Sequence, residues 1–126
     1  NFELWLDGGH NKHASDMLKF NLENWRKSKL FLIFGMLSNK EPKEFLDEII
    51  KYFTNLYVLP IHGHDYIKSN DLKNIYIDCK QKIISKTKVE YALEDIKNKC
   101  TKGKIIICGS LYLAGEILKK NGTKII

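Results

Sequence analysis

The sequence predicts an α/β domain in which helices cover both faces of a mostly parallel sheet. Six apolar, β-rich stretches recur, segments with helical period separate them, and the connections are short, which favours parallel strands joined by crossover helices. The run Ile105-Ile106-Ile107-Cys108 is apolar at consecutive positions, as expected of a strand buried on both sides. A chain of 126 residues has room for one core of useful size and would stabilise two only with difficulty.

Strands are expected at 2–6, 30–34, 56–61, 82–85, 105–108 and 123–126. The first helical segment, about 14–26, sets Ala14, Met17, Leu18, Leu22 and Trp25 along one stripe. A second, 42–53, tolerates Pro42 in its first turn and turns Phe45, Leu46, Ile49, Ile50 and Phe53 inward. A third, near 71–81, has Leu72, Ile75, Tyr76 and Cys79 at helical spacing. Thr87 and Glu90 have the spacing of a capping box, in which each side chain satisfies an orphan amide of the other's turn. Val89, Ala92, Leu93, Ile96 and Cys100 then form the buried stripe of a fourth helix. The last helix is expected to open after Gly109-Ser110, to carry Ala114, Ile117 and Leu118, and to stop at Asn121-Gly122, where glycine adopts the left-handed cap. Segment 123–126 reads as an edge strand, with an antiparallel pairing open to it. The sum is a single domain, 1–126, with a three-layer, six-stranded, Rossmann-like sheet.

Composition narrows the function classes. Hydrophobic residues make up 44% and charged residues 29%, enough apolar surface to oppose chain entropy, so intrinsic disorder is disfavoured. No apolar run approaches the roughly 18 residues of a membrane span, and residues 1–20 lack a basic stretch followed by an apolar one. Cys79, Cys100 and Cys108 are odd in number and form no CxxC pair, which suits a reducing, cytoplasmic setting better than a disulfide framework. The net charge of +6 invites a nucleic-acid reading, yet of 21 basic residues only Arg26 is arginine and the lysines are scattered. Base and phosphate recognition favours the arginine fork, so a dispersed lysine surface reads as solubilising.

In an open α/β sheet, ligands bind beyond the carboxyl ends of the strands. Three turns there carry candidate chemistry. In Asp7-Gly8-Gly9-His10-Asn11 the glycines allow close backbone approach, Asp7 supplies an acceptor and His10 a switchable donor; the plainer alternative is a turn in which Asn11 or Asp7 caps amides. Lys40 lies just ahead of a helix, where the dipole does not favour a cation, so either an anionic ligand or simple solvation explains it. Ser110 follows the buried strand at a helix start, placed to bind a carboxylate or phosphate or to act only as the cap. Two histidine clusters, His10 with His13 and His62-Gly63-His64-Asp65, raise a metal reading, but neither has the partners of a familiar zinc pattern. No GxSxG elbow, paired Cys and His signature, Walker A loop or GxGxxG segment is present.

Three segments in order, Leu4-Trp5-Leu6-Asp7-Gly8-Gly9-His10-Asn11-Lys12-His13-Ala14, Phe34-Gly35-Met36-Leu37-Ser38-Asn39-Lys40 and Cys108-Gly109-Ser110-Leu111-Tyr112-Leu113-Ala114-Gly115-Glu116, resemble a known set. The chain is similar to the C-terminal domain of folylpolyglutamate synthase and dihydrofolate synthase, in the Mur ligase superfamily. That family's first motif reads DGAHNPHA, and here Gly9 and Lys12 depart from it. Residues 60–69 match nothing that can be carried over. The resemblance implies an ATP-dependent ligase of folate and one-carbon metabolism that adds glutamate to dihydropteroate or folate through an acyl phosphate. It implies that Asp7, His10 and Asn11 reach ATP across an interdomain cleft, with His10 as the catalytic residue, and that Ser110 and Lys40 hold glutamate. Magnesium and its ligands, the P-loop and the folate pocket would belong to an N-terminal ATPase domain outside these residues, so the isolated domain would be inactive. The competing readings are a free-standing, non-catalytic α/β module that binds a small anion, and the C-terminal domain of a peptidoglycan-precursor Mur ligase. The folate-type HNxHA and GSLYLxGE segments disfavour the latter.

Overall fold

The computed structural model describes residues 2–7, 11–109 and 124–125. Strands β1 (Phe2–Asp7), β2 (Leu30–Gly35), β3 (Asn55–Val58), β4 (Ile83–Ser85), β5 (Gly103–Gly109) and β6 (Lys124–Ile125) form one sheet in the order β4-β3-β2-β5-β1-β6. Every neighbouring pair is parallel, including β6 beside β1, with Trp5 opposite Lys124. The antiparallel option for the last strand is thereby corrected. Residues 110–123 leave enough chain for the crossover that a parallel neighbour requires.

Alternation along the central strands builds the layers. Leu30, Leu32 and Phe34 of β2 and Ile106 and Cys108 of β5 face a core shared with helices α1 (Lys12–Asn24), α2 (Pro42–Leu46) and α3 (Ser69–Ile75). Phe31, Ile33, Ile105 and Ile107 face the opposite core, which helix α4 (Val89–Lys99) covers through Val89, Ala92 and Ile96. Handedness explains the division. Strands β1 to β4 progress toward one edge, whereas β5 returns to lie between β2 and β1, and a right-handed crossover that reverses direction must place its helix on the other face. This return makes β5 the topological switch of the sheet.

Several local expectations change. Helix α1 starts at Lys12 because the Asn11 side chain accepts from the Ala14 N–H at 2.9 Å, an N-cap. Leu18 and Leu22 are buried as expected, but Met17 is 63% exposed and Ser15 is buried in its place. Met17 is about 100° around the helix from Leu18, outside the buried stripe. The second helical segment stops at Leu46 and resumes as a 3₁₀ turn, Ile50–Tyr52, yet Phe45, Leu46, Ile49, Ile50 and Phe53 are all buried. The third breaks at Tyr76 before a 3₁₀ segment, Ile77–Lys82, where adjacent β-branched and aromatic residues disfavour an α-helix. The capping box at Thr87 does not form. Lys88 is the N-cap of α4, without a side-chain bond, which moves Glu90 one position too early for the reciprocal contact. Strand β3 ends at Val58, and Pro60 lacks the N–H to continue its ladder. The predicted last helix falls in residues 110–123, outside the described residues.

Candidate functional site at the carboxyl edge

Pairing register decides which turns meet. Asp7, the last residue of β1, is opposite Cys108 of β5, and on the other side Phe34 and Gly35 of β2 are opposite Cys108 and Gly109. Three predicted turns therefore leave neighbouring strands at one level, roughly 4.8 Å apart per strand. These are the turns predicted to follow Asp7, Gly35 and Gly109; of the three, only the one after Gly35, which holds Lys40, lies among the described residues. They flank the topological switch, where an open α/β sheet has its ligand crevice.

The individual residues fall differently. His10 and Ser110 lie outside the described residues, as does the side chain of Asp7, although its backbone ends β1. Asn11 is exposed; its Oδ1 caps α1, leaving the amide N–H groups of its side chain for another acceptor. Lys40 is exposed in a turn closed by its N–H to the Leu37 carbonyl at 3.1 Å, and its side chain makes no hydrogen bond or ion pair with another described residue. Lys12, where the related motif has proline, pairs with Asp16 and with Glu48 beyond α2, and so ties α1 to that segment. Those two partners, Asp16 first, raise its pKa well above the usual lysine value, and Lys12 and Lys19 lower that of Glu48.

A fourth component joins this edge that sequence reasoning did not place. The Tyr66 backbone forms an antiparallel bridge with Leu37, the Ser38 N–H donates to the Asp65 carbonyl at 3.2 Å, and the Ile67 N–H donates to the Met36 carbonyl at 2.8 Å. The loop after β3, with His62 and His64, is thus fastened to the turn that carries Lys40. Its one sequence signal is the pair of buried isoleucines, Ile61 and Ile67, that bracket the polar tip. Among the described residues no group of three or more His, Cys, Asp or Glu side chains could hold a metal ion. A cavity of about 340 Å³ lined by Glu3, Lys27, Lys29, Lys102 and Lys104 opens at the opposite, amino end of the sheet. No described helix is long and apolar enough to cross a membrane.

The fold is shared with proteins of known structure. The fold is similar to the bifunctional folylpolyglutamate synthase/dihydrofolate synthase of Yersinia pestis, solved with AMPPNP and a manganese ion, at TM-score 0.70 and 22% identity over 92% of this chain and 28% of that one. It is also similar to folylpolyglutamate synthase of Thermotoga maritima (TM-score 0.67, 21% identity, 89% of this chain and 26% of that one). Folylpolyglutamate synthase of Mycobacterium tuberculosis, solved with ADP and AMPPCP, matches at TM-score 0.70 and 16% identity, over 91% of this chain and 28% of that one. The chain thus spans little more than a quarter of each solved relative. A search of curated sequences finds no match. The family model for the dihydrofolate synthetase C-terminal domain matches residues 1–120. This match spans nearly the whole sequence, and the chain belongs to the dihydrofolate synthetase C-terminal domain family.

Proposed function

We propose that this chain is the C-terminal domain of an ATP-dependent ligase that adds glutamate to dihydropteroate or folate. The substrate carboxylate is phosphorylated by ATP, the glutamate amine attacks the acyl carbon, the C–N bond forms as the C–O bond to phosphate breaks, and phosphate leaves while the amine proton passes to solvent. This chain's part is positioning and charge stabilisation at a closing cleft. Asp7 holds the ribose hydroxyls, His10 meets the phosphates as their charge develops, and Asn11 donates from its amide to the nucleotide. Ser110 and Lys40 hold the glutamate carboxylates. An N-terminal domain supplies the P-loop, the magnesium ligands and the folate pocket.

The observation that supports this reading most is the register that sets the carboxyl ends of β1, β5 and β2 side by side at the switch point. That the Yersinia protein was solved with AMPPNP and the Mycobacterium protein with ADP and AMPPCP supports a nucleotide substrate. The test is ADP release from the intact protein with ATP, magnesium and dihydropteroate or folate, with and without glutamate. Release that depends on glutamate is expected from the intact protein and none from residues 1–126 alone. Glutamate-independent behaviour of the intact protein would return the domain to a small-anion-binding module.

A further inference from the structure

We propose that His62 and His64 form a carboxylate-recognition lip for the incoming amino acid, beside Lys40. The inference rests on the ligase reading above and adds to it a loop outside the three segments that carry the family resemblance. The tip of the loop is a built turn. The His64 N–H donates to the Ile61 carbonyl at 3.1 Å, and Gly63 takes φ 79°, as the third residue of a type II turn does. Behind the tip, the bridge between Leu37 and Tyr66 and the bonds from Ser38 and Ile67 hold the loop to the Lys40 turn. Asp65, the acidic group next to the tip, is already engaged. Lys68 first and Ser38 second hydrogen-bond its carboxylate and lower its pKa, with the Lys68 Nζ at 3.1 Å.

His62 and His64 are both exposed, and neither imidazole makes a hydrogen bond or ion pair with another described residue. Each carries an N–H donor even when neutral, so the turn presents two donors on a backbone fastened to the turn that holds Lys40. Strand order says which end of the substrate lies there. Along the carboxyl edge the sequence is β1, β5, β2, β3, so the loop after β3 is about three strand spacings, roughly 14 Å, from the nucleotide turn after β1. It adjoins the Lys40 turn instead, and a carboxylate of the amino acid is the acceptor that suits this place.

The experiment compares intact wild-type protein with His62→Ala/His64→Ala and His62→Gln/His64→Gln. Both histidines are exposed, so melting temperatures are expected to match wild type. The alanine pair should raise the KM for glutamate about tenfold, as loss of a carboxylate contact does, with the KM for ATP within about twofold. The glutamine pair keeps N–H donors and should restore most of the glutamate affinity. An unchanged glutamate KM, or an equal rise for ATP, in an otherwise active alanine variant would overturn the lip alone. Wild-type protein without glutamate-dependent ADP release would overturn the ligase reading and the lip together.

Discussion

Gly103 and Gly63 stand at opposite ends of the sheet, and glycine is required at each for a different physical reason. Gly103 begins β5 at the amino end, where a Cβ would come within 2.8 Å of the Lys29 carbonyl oxygen. The same carbonyl accepts from the Lys104 N–H at 2.9 Å, so β5 and the start of β2 are closed on each other there. Gly63, beyond the carboxyl end of β3, would meet nothing within 4 Å with a side chain added; its constraint is the positive φ of an open turn. Close packing fixes one end and backbone freedom shapes the other. The amino end also uses lysine structurally: the Lys82 Nζ donates to the Ile50 and Phe53 carbonyls, and Lys104 pairs with Glu3. At the carboxyl end Lys40, His62 and His64 are left for solvent or ligand. Among the described residues, lysines at the amino end are thus taken up in structural contacts, whereas these three side chains at the carboxyl end are not.

Substitutions at the two ends should therefore separate activity from stability. The largest effect is expected from His10→Ala in the intact protein, which should lower kcat about a hundredfold, the usual cost of losing one charge-stabilising contact, and leave the melting temperature nearly unchanged. Steady-state ADP release and a thermal melt on the same sample decide it; unchanged kinetics would reduce His10 to a turn residue. Gly103→Ala should do the reverse. Forcing two backbones apart costs about 1–3 kcal/mol, offset by up to about 1 kcal/mol from a stiffer unfolded chain. Chemical denaturation should show a net loss of about 1–2 kcal/mol, with the KM for ATP and glutamate unchanged in the folded fraction. A neutral result would mean that β5 shifts freely at its start.

Much of this division is legible in the sequence because it follows from period and order. The continuous apolar runs of β2 and β5 mark central strands, and once strands alternate with helices the carboxyl ends become the place to look for Asp7, Lys40 and Ser110. What is not legible depends on contacts between distant segments. The stripe from Phe45 to Phe53 identifies the buried residues but not the break after Leu46, since a helical turn and a 3₁₀ turn bury nearly the same positions. Met17 looks apolar enough for the core, and only the placement of α1 shows that Ser15 has that position. The fastening of the His62 loop to the Leu37 turn is made by backbone groups, which leave almost no trace in residue identity.

The smallest effect tests how the sheet holds its second face. Tyr57 is fully buried in β3, and its hydroxyl donates to the Asp95 carboxylate of α4 at 2.6 Å, while Lys99 contacts the same carboxylate at 3.1 Å. The Tyr57 hydrogen bond is the main cause that lowers the Asp95 pKa, with Lys99 and Lys86 adding to it against partial burial; burial first, then Asp95, raises the Tyr57 pKa. Tyr57→Phe should cost about 1 kcal/mol near neutral pH, less than the usual bond to a charged group because Asp95 is partly exposed and can take up water. The pH dependence follows from the lowered pKa. An acid whose folded pKa lies below its unfolded value contributes stability above the ordinary aspartate pKa, about 3.9, and that contribution is lost as pH falls through the folded value. The gap between wild type and Tyr57→Phe should therefore be constant from about pH 5 to about pH 9 and narrow below about pH 4. Denaturation curves of both proteins at a series of pH values would show it, and a gap that stays constant into acid would mean that Tyr57 acts through packing and not through the Asp95 charge.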